Sequence, residues 1–189
     1  MRKLMMKGFA LFAIVFIVSC SSNQKEIAEI AELQTKVDSI ISEKQVLTPE
    51  DRLITNELIE AYLMYAENYP EDSLSPAYVF EAAGLKAYIP DLQGAISIYN
   101  SVYEKFPESR QAPLSLMAVG GLYDVTLNEP EKARPVYELL LEKYPVQANE
   151  YGIPNTLKTL GMSPSESLEM ILNANSDTID VSEVLGGEE

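Results

Sequence analysis

Three times in this chain an aromatic residue stands directly before proline: Tyr69-Pro70, Phe106-Pro107 and Tyr144-Pro145, the prolines 37 and 38 residues apart. Proline lacks an amide hydrogen and its ring clashes with a preceding helical turn. Each pair therefore predicts the end of a helix, at almost equal intervals. The residues leading to each proline keep a pattern. The second copy reads Ala95-x3-Tyr99-x2-Val102-x4-Pro107, the third Ala133-x3-Tyr137-x2-Leu140-x4-Pro145, and the first Leu58-x3-Tyr62-x2-Tyr65-x4-Pro70. Steps of four and three place the first three residues of each copy on one helical face. The small residue admits a neighbouring helix closely, and the aromatic fills the space beside it.

A second, weaker pattern lies upstream. Leu116-x2-Val119-Gly120-x2-Tyr123 precedes the third copy, and Phe80-x2-Ala83-Gly84-x2-Ala87 precedes the second. Together the halves resemble the tetratricopeptide repeat, with leucine for the first tryptophan. The extra length over the usual 34 residues lies between the helix-ending proline and the next helix, as in PESRQAPLSL, Pro107 to Leu116. That spacing is similar to the repeats of outer-membrane tetratricopeptide lipoproteins, the family serving the Tol–Pal system and outer-membrane protein assembly. The resemblance covers roughly Leu58 to Pro145. It implies an all-α helical solenoid of about three antiparallel helix pairs with a C-terminal capping pair. It also implies a periplasmic adaptor that binds protein segments and does no chemistry.

The N-terminus suggests an address. Arg2, Lys3 and Lys7 precede an apolar run, Gly8 to Ser19, which reads as an export signal over residues 1–19. It ends in IVSC, resembling the bacterial lipobox, with Cys20 the one cysteine of the chain. Cys20 is thus the expected lipidation site, and residues 20–24 a lipidated tether. Ser21, rather than aspartate, after the cysteine is compatible with sorting to the outer membrane, and the family implies its periplasmic side.

Charge and composition exclude several functions. Residues 1–19 hold three basic residues and no acid, leaving 11 basic against 29 acidic residues, a net charge of −18. Such a surface repels nucleic acid and anionic lipid, so lipid on Cys20 is the expected membrane contact. The chain has no histidine, which rules out triads with a histidine base and histidine-rich zinc sites. Ser22-x2-Lys25 has the spacing of penicillin-binding enzymes but lacks their other elements. Asn173-x-Asn175-x-Asp177 starts like a calcium loop, yet Thr178 stands where glycine is needed and Val184 where glutamate belongs. No cofactor, metal or enzymatic activity is expected. A carboxylate-based hydrolase stays open as a remote alternative, because acids are abundant and their geometry is not in the sequence. A substrate-capture, glycan-binding lipoprotein is the other alternative, disfavoured by the absence of tryptophan.

The flanks complete the expected plan of a helical domain over 25–174 and a disordered acidic tail over 175–189. Thr48-Pro49-Glu50-Asp51 is a helix start with a capping threonine. Ser163-Pro164-Ser165-Glu166 is a capping box opening a helix near 164–174, which with a short helix near 155–160 would cover the end of the stack. Pro135 is expected in the first turns of a helix starting near Glu131. Between 24 and 47, Ile30, Leu33, Val37, Ile40, Lys44 and Leu47 alternate steps of three and four, a coiled-coil seam; the resembled family carries an oligomerising coiled coil at this place, which implies a trimer. Ile27 and Ile41 widen that stripe, which favours packing on the chain itself as a missing first helix and leaves a monomer. In the resembled family the first helix of each pair lines a groove. That geometry assigns Tyr78, Glu81, Leu85, Tyr88, Leu114, Met117 and Asp124 to a site for another envelope protein or peptide segment.

Overall fold

The computed structural model describes residues 8–44 and 46–176, which form helices and the turns joining them. The helices are α1 (Gly8–Glu43), α2 (Pro49–Asn68), α3 (Ser75–Tyr88), α4 (Leu92–Lys105), α5 (Gln111–Gly121), α6 (Pro130–Lys143), α7 (Pro145–Glu150), α8 (Ile153–Thr159) and α9 (Pro164–Ser176). A π-helical turn, Leu122–Thr126, continues α5. The described residues include no strand, and no helix among them is long and apolar enough to cross a membrane. The chain divides into two compact units, one ending at Ser115 and the other beginning at Leu116. The domain expected over 25–174 is therefore split within α5.

The three aromatic–proline pairs end their helices alike. Tyr69, Phe106 and Tyr144 have φ between −130° and −134° and ψ between 53° and 61°. Each donates its N–H to the carbonyl four residues back, at 2.9 Å. The steric bar on helical geometry before proline explains why one geometry recurs. The nine pattern residues before the prolines, Leu58 to Leu140, are all buried. Each aliphatic side chain so buried contributes roughly 1.5–3 kcal/mol.

In the first unit α1 packs on α2, α2 on α3, and α3 on α4. Asn23, near the middle of α1, donates to Asp72 just beyond α2, while Lys44 past the end of α1 pairs with Asp51 at the start of α2. The two helices therefore run antiparallel. Ile30 and Val37 are buried in one cluster with Leu58, Ile59, Tyr62 and Tyr65, and Ile27, Leu33 and Ile41 pack against it. The wider apolar stripe meets its own chain, as its width suggested.

Three expectations are corrected here. Helix α1 stops at Glu43, so Lys44 and Leu47 leave the seam. Lys44 instead lies 2.7 Å from Asp51, which accepts from the Thr48 N–H and hydroxyl in a complete capping box. The tether expected at 20–24 belongs to α1, and Asn23 is fixed to the fold. The Tyr65 hydroxyl donates to its Oδ1, and its Nδ2 donates to Asp72 at 2.8 Å. The Cys20 side chain and residues 177–189, most of the expected tail, lie outside the described residues. The upstream motif of the second copy is shifted by one position. Val79, Ala82 and Ala83 are buried at the spacing of Leu116, Val119 and Gly120, whereas Phe80 and Gly84 are half-buried. Pro135 falls in the first turns of α6, as expected, one residue further in because α6 starts at Pro130, and it removes the N–H that would bond the Glu131 carbonyl.

In the second unit α6 packs on the π-helical turn, α7 and α8. The structure adds α7, which Pro145 starts at its first position in the same residue that stops α6. Gly152, at φ 73°, then turns the chain into α8, with Pro154 in its first turn. The Ser163–Glu166 capping box forms, the Ser163 N–H donating to Glu166 at 2.7 Å. On α9, Leu168 and Leu172 are 57 % and 59 % exposed. Helices α7 and α8 pack on α6, α8 being the short helix expected near 155–160.

Candidate partner-binding face

Helix α3 carries most of the expected site. Tyr78, Glu81, Leu85 and Tyr88 follow one another at steps of three and four and so share a helical face. They are not equivalent. Tyr78 is half-buried, stacked on Tyr62 at 4.8 Å and set edge-on to Tyr65 at 5.0 Å. Leu85 is half-buried against the same cluster. Both anchor α3 to α2. Glu81 is exposed, and Tyr88 is 40 % exposed. These two, the free members of the face, are what a partner could reach. Leu114, also of the first unit, is half-buried at the start of α5.

Beneath the face lie the aromatic residues of the repeated pattern. Tyr62 is 2 % exposed and Tyr99 7 %. The Tyr99 ring meets Phe80 edge-on at 5.2 Å, and its hydroxyl lies 3.5 Å from where a β-carbon on Gly84 would stand. Gly84 is one turn beyond Glu81, so the hydroxyl comes up on the Glu81 side of α3. Burial raises the Tyr62 hydroxyl pKa, followed by the charge of Glu81, Tyr78 and the charge of Asp38. Burial and then Glu81 raise that of Tyr99. Glu81 itself is pushed up, first by partial burial and then by Asp38 on α1. Asp38, Glu81 and the two hydroxyls thus share one electrostatic neighbourhood.

The remaining expected site residues, Met117 and Asp124, belong to the second unit and are half-buried. Asp124 sits in the π-helical turn. Its charge, after burial, raises the pKa of Tyr137 on α6. Tyr137 packs its ring where a β-carbon on Gly120 would come within 2.2–2.8 Å of three ring carbons. Only glycine fits there.

Sequence reasoning missed a cleft of about 340 Å³ in the first unit, lined by Leu63, Ala66, Val79, Ile98 and Phe106 with Glu67 and Lys105. Leu63 and Ile98 fall between pattern positions, so no local signal marks it. Among the described residues no three His, Cys, Asp or Glu side chains are grouped to hold a metal ion. The site offers carboxylates, hydroxyls and aromatic faces for binding. Compared with protein-family models, curated proteins and solved structures, the chain matches none.

Proposed function

We propose that the chain is a lipid-anchored bacterial envelope adaptor of tetratricopeptide type, holding a segment of another envelope protein against the first helix of each pair. The observation that carries this reading is the threefold recurrence of one helix ending, Tyr69, Phe106 and Tyr144, behind nine buried pattern residues. Repeated pairs of this kind build binding surfaces from helix faces, and the α3 face keeps Glu81 and Tyr88 open to solvent. The IVSC sequence supports lipid on Cys20 and a place on the periplasmic side of the outer membrane. The fixing of Asn23, three residues beyond Cys20, supports a domain held close to the membrane rather than on a long leash.

Membrane fractionation joined to partner capture tests the proposal. Cys20→Ser is expected to release the chain from membranes or stall its processing. Tyr88→Ala is expected to weaken capture of the partner from detergent-solubilised envelopes while the circular dichroism melt stays unchanged. A Cys20→Ser chain that remains in the membrane fraction with normal processing would sink the anchor. A Tyr88→Ala chain that melts early without a binding defect would sink the face.

A further inference from the structure

The face on α3 has a chemistry that selects its occupant, and we infer that it binds an arginine- or lysine-bearing segment. This deepens the adaptor reading and rests on it. Three observations carry the inference.

First, Glu81 and Asp38 are exposed carboxylates whose charges act on each other's surroundings, and neither pairs with a lysine or arginine among the described residues. Second, Tyr62 and Tyr99 are more than nine-tenths buried, yet their hydroxyls bond to no described residue and neither oxygen is sealed from solvent. A buried phenol normally finds a partner for its hydroxyl. The Tyr99 hydroxyl, 3.5 Å from the β-carbon position of Gly84 one turn beyond Glu81, leaves an acceptor on the Glu81 side of α3, and the Tyr62 ring stacks on Tyr78 of the same face. Third, the second unit repeats the device by itself. Tyr137, 5 % exposed, bonds to no described residue through its hydroxyl, and Asp124 is the charge that acts on it.

A carboxylate flanked by phenol oxygens accepts and does not offer positive charge. Anionic ligands are repelled, the more so by a net charge of −18 outside residues 1–19. A guanidinium or ammonium supplies what is lacking: donors for the carboxylate and the phenol oxygens, and a cation for the exposed Tyr88 ring. Arginine fits best, since its fork reaches several acceptors at once.

The test uses the purified full chain in non-ionic detergent and a fluorescein-labelled acetyl-(Arg-Ala)4-amide peptide, read by anisotropy at low salt. Saturable binding is expected, weakened about fivefold or more by Glu81→Gln and by Asp38→Asn. Glu57→Gln, which makes the same change of net charge at an exposed position on α2, is expected to leave it unchanged. Equal losses in Glu57→Gln and Glu81→Gln would mean diffuse attraction and overturn the inference. So would absence of peptide binding, or saturable binding of chitotetraose in its place. A photo-crosslinker at Tyr88 in cells separates the two layers of argument. Crosslinking to an envelope protein that Glu81→Gln leaves undiminished keeps the adaptor and discards the basic segment. No crosslink, with Glu81-dependent peptide binding intact, keeps the basic site and discards the adaptor.

Discussion

Two adjacent glycines in one helix should respond to the same substitution with opposite signs. Gly121 has helical backbone angles, φ −64° and ψ −37°, and nothing stands within 4 Å of where its β-carbon would be. Gly121→Ala therefore gains helix propensity, up to about 1 kcal/mol, with nothing to offset it. At Gly120 the same methyl would meet the Tyr137 ring at 2.2 Å, closer than any relaxed carbon contact. Tyr137 is buried, so the ring cannot swing into solvent, and α5 or α6 must shift. Overpacking of this kind costs about 1–3 kcal/mol. Set against the same propensity gain, Gly120→Ala should destabilise by about 0–2 kcal/mol, leaving the two variants about 1–3 kcal/mol apart. Urea unfolding followed by circular dichroism measures this. With a slope of about 2 kcal/mol/M, the midpoints should differ by roughly 0.5–1.5 M. In a Tyr137→Ala background the ring is gone, and Gly120→Ala should become as favourable as Gly121→Ala. If Gly120→Ala raises the midpoint as much as Gly121→Ala in the unmodified chain, the close approach of α5 and α6 is not what selects glycine.

Three further outcomes follow from the first unit. The hydrogen bonds from Lys44, then from the Thr48 side chain and backbone, lower the Asp51 carboxyl from 3.8 to about 2. A depressed carboxylate stabilises the fold fully above its unfolded value and loses that contribution as pH falls from about 4 to about 2. The urea midpoint of the unmodified chain should thus exceed that of Asp51→Asn at pH 6 and converge on it near pH 2; a gap independent of pH would refute the assignment. Burial of Ile30 and Val37 against α2 leaves α1 no free seam, so a chain beginning at Ser21 should scatter light as a monomer. Val37→Ala should cost about 2 kcal/mol. A trimer that becomes a folded monomer when residues 21–46 are removed would show that α1 serves assembly instead.

What the sequence by itself determined about this protein is local. The steps of four and three before each proline, and the bar on helical geometry at the residue preceding it, set the ends of α2, α4 and α6 without reference to any neighbour. The capping threonine at Thr48 and the capping box at Ser163 were legible for the same reason, since each cap joins residues three positions apart. Tertiary structure decided whatever depends on which helix face meets which. Ala82, Ala83 and Gly84 are three small residues in a row, and local pattern cannot say which is covered; the packing of the first unit buries the first two. Lys44 continued a heptad on paper but turned to Asp51, because a charge is held better by a buried carboxylate than in an apolar seam. Tyr78 read as groove lining and became an anchor, because Tyr62 and Tyr65 on α2 lie under it. Most of all, the Tyr99 hydroxyl on the Glu81 side of α3 was invisible in sequence. An aromatic at a core position announces burial, but whether its oxygen finds a partner depends on residues brought up from other helices.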